Sequence, residues 1–179
     1  MVFVFLAPGF EESEAICPID ILRRAELDVV TVSISDDREV TGAHGITVKA
    51  DVSLAQLPVC HPEAIVLPGG MPGTLNLEAS VALRERVRQA YDEGAYICAI
   101  CAAPMILGKM GLLEGKKATC YPGFEQHLAG ATVGGRVQKD KNIITACGMG
   151  AANEFGLAIV EALKGAAVAG KIKEAILAK

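Results

Sequence analysis

The chain contains no tryptophan and only three tyrosines and five phenylalanines among its 179 residues. That removes the aromatic platform on which single-stranded bases would stack. A formal charge of −4 without any basic run removes the footprint of a phosphate-binding surface, so no nucleic-acid partner is expected. Nowhere does apolar character persist for the ~18 residues that a membrane span requires. Met1–Leu6 is apolar but short, and lacks the basic start and cleavage site of a secretory signal. The expectation is a cytoplasmic protein without a membrane partner. Histidine is also scarce, with three in all. His44, His61 and His127 sit in polar, Gly- or Pro-flanked surroundings that read as surface loops. Neither a histidine pair nor a second cysteine pair completes a metal site, so no metal and no organic cofactor are expected.

What the chain does have is apolar substance. Half of it is hydrophobic (51%) and its mean hydropathy is +0.37, enough for one domain over residues 1–179 with a well-buried sheet. Six cysteines, Cys17, Cys60, Cys98, Cys101, Cys120 and Cys147, read as reduced thiols in a cytoplasmic setting. Cys98 and Cys101 have the C-x-x-C spacing, but a strand would carry them about 10 Å apart, facing opposite ways.

That strand organises the rest. Tyr96–Ile100 runs up to Cys101 without a charge, as a strand buried on both faces would. Ala102, Ala103 and Pro104 then suit a helix's first turn, where proline's missing N–H costs nothing. A strand breaking into a helix through one residue holds that side chain on a nucleophile elbow. A cysteine there meets the positive pole of the helix, which favours thiolate.

The remaining chain alternates. Val2–Leu6 is a strand. The acidic run Glu11-Glu12-Ser13-Glu14 opens a helix that Pro18 bends or confines to the residues after it, and Leu27–Ile34 is a second strand. Val40–His44 and Ile46–Ala50 form a small hairpin, Ser53–Leu57 a helical turn, and Ala64–Leu67 a central strand running into Pro68-Gly69-Gly70. Ser80 caps a helix to Asp92. Short strands follow at Lys117–Cys120, Ala131–Val133 and Val137–Lys139, with a helical turn over Phe124–Leu128. Ile143–Ala146 ends in Cys147-Gly148, and two helices, Glu154–Leu163 and Val168–Leu177, close the chain. Such alternation gives an α/β doubly wound sandwich whose ligands bind at the carboxyl ends of its strands. Pro8-Gly9, Gly69-Gly70, Cys101 and Cys147-Gly148 are those ends, and they are expected to converge on one crevice.

Together these stretches resemble the DJ-one/ThiJ/PfpI superfamily. The resemblance runs from Val2 to about Val168. It rests on Ala7-Pro8-Gly9-Phe10-Glu11-Glu12-Ser13-Glu14, Ile19-Asp20, Leu67-Pro68-Gly69-Gly70, Ala99-Ile100-Cys101-Ala102-Ala103-Pro104, and Gly148–Gly150 before Glu154-Phe155. Ala102 after the cysteine is similar to the DJ-one branch, since the PfpI-type peptidases carry a histidine there. The resemblance implies a flavodoxin-like sandwich, a homodimer, and a strained backbone at the cysteine. It also implies Cys101 as nucleophile and redox-sensitive thiol, Glu14 against its sulfur, and the N–H groups of Gly70 and Ala102 as oxyanion hole. Gly69, Tyr121 and His44 would border the pocket. Tyr121-Pro122 stands where several relatives have a histidine before a proline, and His44 where relatives can carry an arginine. A carboxylic acid beside a thiolate is expected to hold its proton, whereas Glu11 and Glu12 read as solvated helix-start acids.

The resemblance further implies a cysteine-dependent enzyme for small 2-oxoaldehydes such as methylglyoxal, of glyoxalase III or deglycase type, giving a 2-hydroxy acid. The same residues equally suit a redox sensor or stress chaperone in which Cys101 is oxidised. A peptidase or amidotransferase is disfavoured, because Ala102 and the lack of a His-x-Glu pair leave no histidine base.

Overall fold

The computed structural model describes residues 1–58 and 60–178. The chain opens with β1 (Val2–Leu6), α1 (Glu12–Arg24) and β2 (Val29–Ser33), then the hairpin strands β3 (Glu39–Thr41) and β4 (Thr47–Lys49). Next come β5 (Val52–Ser53), β6 (Ala64–Leu67), α2 (Gly73–Ala79), α3 (Val81–Asp92), β7 (Tyr96–Ile100) and α4 (Pro104–Lys109). The last third holds β8 (Lys117–Ala118), β9 (Thr132–Val133), β10 (Val137–Asp140), β11 (Ile143–Ala146), α5 (Ala152–Lys164) and α6 (Ala166–Ala175). Seven strands form the central sheet in the order β10-β11-β7-β6-β1-β2-β5. Within it, among the described residues, only the β10–β11 pair is antiparallel. The fold is therefore the α/β doubly wound sandwich expected from the alternating pattern, and of the flavodoxin-like kind that the resemblance implies.

Alternation along the strands divides the core in two. Val2, Val4 and Leu6 of β1, with Cys98 and Ile100 of β7, face α1, α5 and α6, where Ile19, Leu22, Phe155 and Ile159 meet them. Phe3 and Phe5, with Ile97 and Ala99, face α2, α3 and α4 and pack on Leu77, Leu83, Val87 and Ile106. Burying both faces explains why these strands read as continuous apolar runs. From β1 the chain goes to β2 on one side and later to β6 on the other. This is the order reversal that opens a crevice at the carboxyl ends of the strands.

Two local expectations need correction, and one helix is not expected at all. Helix α1 runs unbroken from Glu12 through Pro18 to Arg24. Proline removes the amide that would bond the Glu14 carbonyl, but burial of Ala15, Pro18, Ile19 and Leu22 holds the turn together. A separate helix, α2, precedes the one that Ser80 caps, where the Ser80 side chain accepts from the Leu83 N–H at 3.3 Å. Its sequence signal is obscured by the glycines and prolines that lead into it. The strand expected over Lys117–Cys120 shortens to Lys117–Ala118, because the Thr119 amide turns to the Thr145 hydroxyl at 2.8 Å. No helix among the described residues is long and apolar enough to cross a membrane.

Candidate active site

Strands β1, β6, β7 and β11 end side by side and deliver their following residues to one place. Cys101, directly after β7, has φ of 64°, the left-handed region that costs a non-glycine residue of order 1–2 kcal/mol. The conformation is fixed from both sides. Its N–H donates to the Ala146 carbonyl at 2.8 Å, and its own carbonyl accepts the Tyr121 N–H at 2.8 Å. The residue packs against the core on the α1 face, the one that contains Ala15.

Glu14 comes to meet it from the first turn of α1. The residue is 1% exposed. Oε2 accepts the Gly69 N–H at 2.9 Å, while Oε1 is buried without a well-aligned partner on a carboxyl that interacts with the Cys101 thiol. Only glycine fits at 69, since a Cβ there would lie 2.5 Å from Glu14 Oε2 and 2.7 Å from Cys101 Cβ. Gly70 has φ of 89° and is packed so tightly that a Cβ would sit 2.3 Å from the Glu11 nitrogen. Its amide and that of Ala102 approach the Cys101 sulfur as donors.

Burial pushes Glu14 up to about 7, against the hydrogen bonds from the Cys101 thiol and the Gly69 amide, and the Glu11 charge adds to the rise. Burial likewise pushes the Cys101 thiol up to about 12, reinforced by the Glu14 charge and by its hydrogen bond to Glu14, while the Ala102 and Gly70 amides pull it down. This corrects the expectation of a thiolate favoured by a helix pole. Helix α4 spans only Pro104–Lys109, and its field is outweighed by desolvation and the neighbouring carboxylate. Both groups rise because each is buried beside the other, so the pair keeps a shared proton near neutrality. When that proton is on Glu14, the repulsion raising Cys101 is gone and the two amides act on the sulfur unopposed by it.

Above the sulfur is a shallow hollow of 180 Å³ lined by Gly70, Met71, Cys101, Ala102, Tyr121 and Phe124. Tyr121 and Phe124 meet edge to face with centroids 6.5 Å apart. A larger groove of 700 Å³ along α3 and Met110 is lined by no cysteine, serine or threonine.

The structure thus brings Cys101, Glu14, Gly69, Gly70, Ala102 and Tyr121 to one point, and it does not bring His44 there. His44 lies in the turn between β3 and β4. Its Nδ1 is 2.9 Å from Glu12 Oε2 and 3.4 Å from Glu11 Oε2. Glu12, expected to be solvated, is buried and also accepts the His44 N–H at 2.8 Å. Burial alone would raise its pKa, but hydrogen bonds from the His44 ring and from the His44 and Ile46 amides hold the carboxyl at about 2. Glu12 thereby ties the hairpin to the turn that presents Glu14. Among the described residues Glu11, Glu12 and His44 are the one group whose ligand atoms, all within 4.8 Å, would suit a metal ion. Within it His44 bonds Glu12 through both its ring and its amide, and the Glu11 carboxylate stands 3.4 Å from the same ring nitrogen. Sequence reading misses Met71 and Phe124 as walls and Glu12 as a latch. The placement of Phe124 three residues after Tyr121 is the available signal for that wall.

A doubly wound α/β sheet with a strained thiol at the β7 elbow, paired to a buried carboxyl and facing two backbone amides, defines a cysteine-elbow protein of the flavodoxin-like class. Within that class the chain belongs to the DJ-1/PfpI family, which it matches over residues 1–162. It is 40% identical to "Protein DJ-1 homolog B" of Arabidopsis thaliana over 92% of this chain and 38% of that protein. To the "Parkinson disease protein 7 homolog" of Danio rerio it is 35% identical, over 98% of this chain and 96% of that protein. A Pyrococcus abyssi protein named a deglycase is 32% identical over 74% of this chain and 78% of its own length. The chain spans less than half the length of the two Arabidopsis relatives it matches, 38% and 46%. Among solved structures, oxidized Toxoplasma gondii DJ-1 superimposes with a TM-score of 0.94 at 37% identity, covering 98% of this chain and 97% of that one. Drosophila melanogaster DJ-1beta does so with 0.94 at 35% identity, over 99% and 97%.

Proposed function

We propose that the chain converts small 2-oxoaldehydes, free or as early adducts on amines and thiols, to 2-hydroxy acids through a covalent adduct on Cys101. The observation that carries this reading is the buried Glu14 carboxyl, held near neutral pKa against the Cys101 thiol beneath the Tyr121–Phe124 hollow. In the first step Glu14 takes the thiol proton as sulfur adds to the aldehyde carbon. The Gly70 and Ala102 amides receive the new oxyanion, and Glu14 returns the proton to it, giving a hemithioacetal. The regenerated carboxylate then removes the hydrogen from that carbon and delivers it to the adjacent one through an enediol. The product is a 2-hydroxy thioester, which water cleaves to the free acid and the thiol. A homodimer in the cytoplasm belongs to the same proposal, and the exposed Ile16 and Met149 are apolar surface for a second copy to cover.

A second reading, oxidation of Cys101 as a signal without turnover, draws on the buried Glu14 carboxyl, a donor when protonated, and on the Gly70 and Ala102 amides, which together suit a sulfinate. Lactate formation from methylglyoxal separates the two. Turnover by the wild type that is lost in both Cys101→Ser and Glu14→Gln supports the enzyme. Turnover surviving in Cys101→Ser would sink the mechanism, and a wild-type rate equal to the uncatalysed one would leave the sensor.

A further inference from the structure

Just past the end of the neighbouring strand β11 the chain carries a second cysteine, Cys147. In the β7–β11 parallel ladder, an N–H bonded to the carbonyl of one residue lies opposite the residue after it. The start of the ladder illustrates this: the Ile97 N–H donates to the Asn142 carbonyl, and Ile97 pairs with Ile143. By the same rule the 2.8 Å bond from the Cys101 N–H to the Ala146 carbonyl sets Cys101 opposite Cys147. Adjacent strands lie about 4.8 Å apart, inside the Cα separation of roughly 4.4–6.8 Å that a disulfide spans. Both cysteines pack against the core on the α1–α5 face of the sheet, and both are half-buried. Each also stands at the end of its strand, before a change of direction. Cys101 is at the elbow, and Cys147 precedes Gly148, so neither is locked in a regular pleat. On its other side the Cys147 N–H donates to the Arg136 carbonyl at 2.9 Å. The Arg136 guanidinium is held by Glu154 at 3.0 Å.

We propose that Cys147 is a resolving thiol for Cys101, making this pair a peroxide-driven dithiol–disulfide site. In the first step Glu14 takes the thiol proton and the Cys101 sulfur attacks hydrogen peroxide. The O–O bond breaks, hydroxide leaves and takes up a proton as water, and Cys101 becomes a sulfenic acid. The Cys147 thiolate then attacks the Cys101 sulfur. The S–S bond forms, the S–O bond breaks, and the departing hydroxide takes up a proton as a second water. Two thiols and one peroxide thus give one disulfide and two waters, and a dithiol reductant reverses the change. The consequence is protection, because a sulfenic acid captured as disulfide cannot proceed to the irreversible sulfinic acid. The inference needs no turnover, and it stands independently of the carbonyl chemistry above.

Peptide mapping of the reduced, intact chain after hydrogen peroxide, without added reductant, tests it. The expected result is loss of two hydrogens from the intact mass, a peptide containing Cys101 joined to one containing Cys147, and full reversal by dithiothreitol. In Cys147→Ser the same treatment adds two oxygens to Cys101, and dithiothreitol does not remove them. Cys120→Ser keeps the wild-type link, since Cys120 packs against the opposite core. Wild type that gains two oxygens at Cys101 with Cys147 still a free thiol would overturn the proposal, as would a Cys101 peptide joined to any other cysteine.

Discussion

Gly69→Ala tests whether Glu14 and Cys101 are held by the backbone between them. The added Cβ would lie 2.5 Å from Glu14 Oε2, 2.7 Å from Cys101 Cβ and 2.9 Å from the Ile100 carbonyl oxygen. Relaxed carbon contacts are about 3.5 Å, so Glu14 has to retreat by on the order of 1 Å. The Ile100 oxygen belongs to β7 and cannot give way. Gly69 does not have a positive φ, which leaves crowding as the whole effect. Overpacking of this kind costs about 1–3 kcal/mol, and the retreat breaks the 2.9 Å bond from the Gly69 amide to Oε2. A shift of ~1 Å in a reacting group costs about a hundredfold in rate. Urea unfolding of the variant measures the first quantity, and lactate formation from methylglyoxal under folding conditions the second. A Gly69→Ala protein with wild-type stability and wild-type turnover would refute the reasoning.

Two acids nearby should behave oppositely. Glu14 has its folded-state pKa raised from 4.5 to about 7, so the unfolded chain releases this proton first and stability falls as pH rises between those values. Glu14→Gln should therefore exceed wild type by up to about 3 kcal/mol in urea unfolding at pH 8. The difference should vanish at pH 4, and equal stability at both pH values would contradict the assigned burial. Glu12 is lowered from 4.5 to about 2. Its contribution is present above 4.5 and lost as pH falls toward 2. Glu12→Gln should loosen the β3–β4 hairpin, read as about tenfold faster amide exchange at His44, the worth of one charge-assisted hydrogen bond of ~1.5 kcal/mol.

The architecture is legible in the sequence because its cues are local. Uncharged runs at β1, β6 and β7 mark a doubly buried sheet, and the break after Ile100 marks the elbow. Glu14 and Gly70 are legible through resemblance, since nothing in Glu11-Glu12-Ser13-Glu14 says which acid turns inward. Tertiary packing decides that: Glu14 meets Gly69 after β6, 55 residues on, and Glu12 meets His44 of the hairpin, 32 residues on. The thiol's protonation escapes local reading for a related reason. Its local cue, a helix start, is readable, but the opposing carboxylate and the burial come from elsewhere in the chain. Pro18 misleads in the other direction, because a propensity rule for an isolated helix yields when one face of α1 is fully buried.

The most direct measurement is the pH dependence of kcat/KM for methylglyoxal between about pH 5 and 9, the range that brackets a base titrating near neutrality. With Glu14 as the base paired to Cys101, the rate should rise through an apparent pKa near the value of about 7 set by burial of that carboxyl. Glu14→Gln should abolish the step. A rate flat across this range, or the same step persisting in Glu14→Gln, would contradict a mechanism run by the Cys101–Glu14 pair.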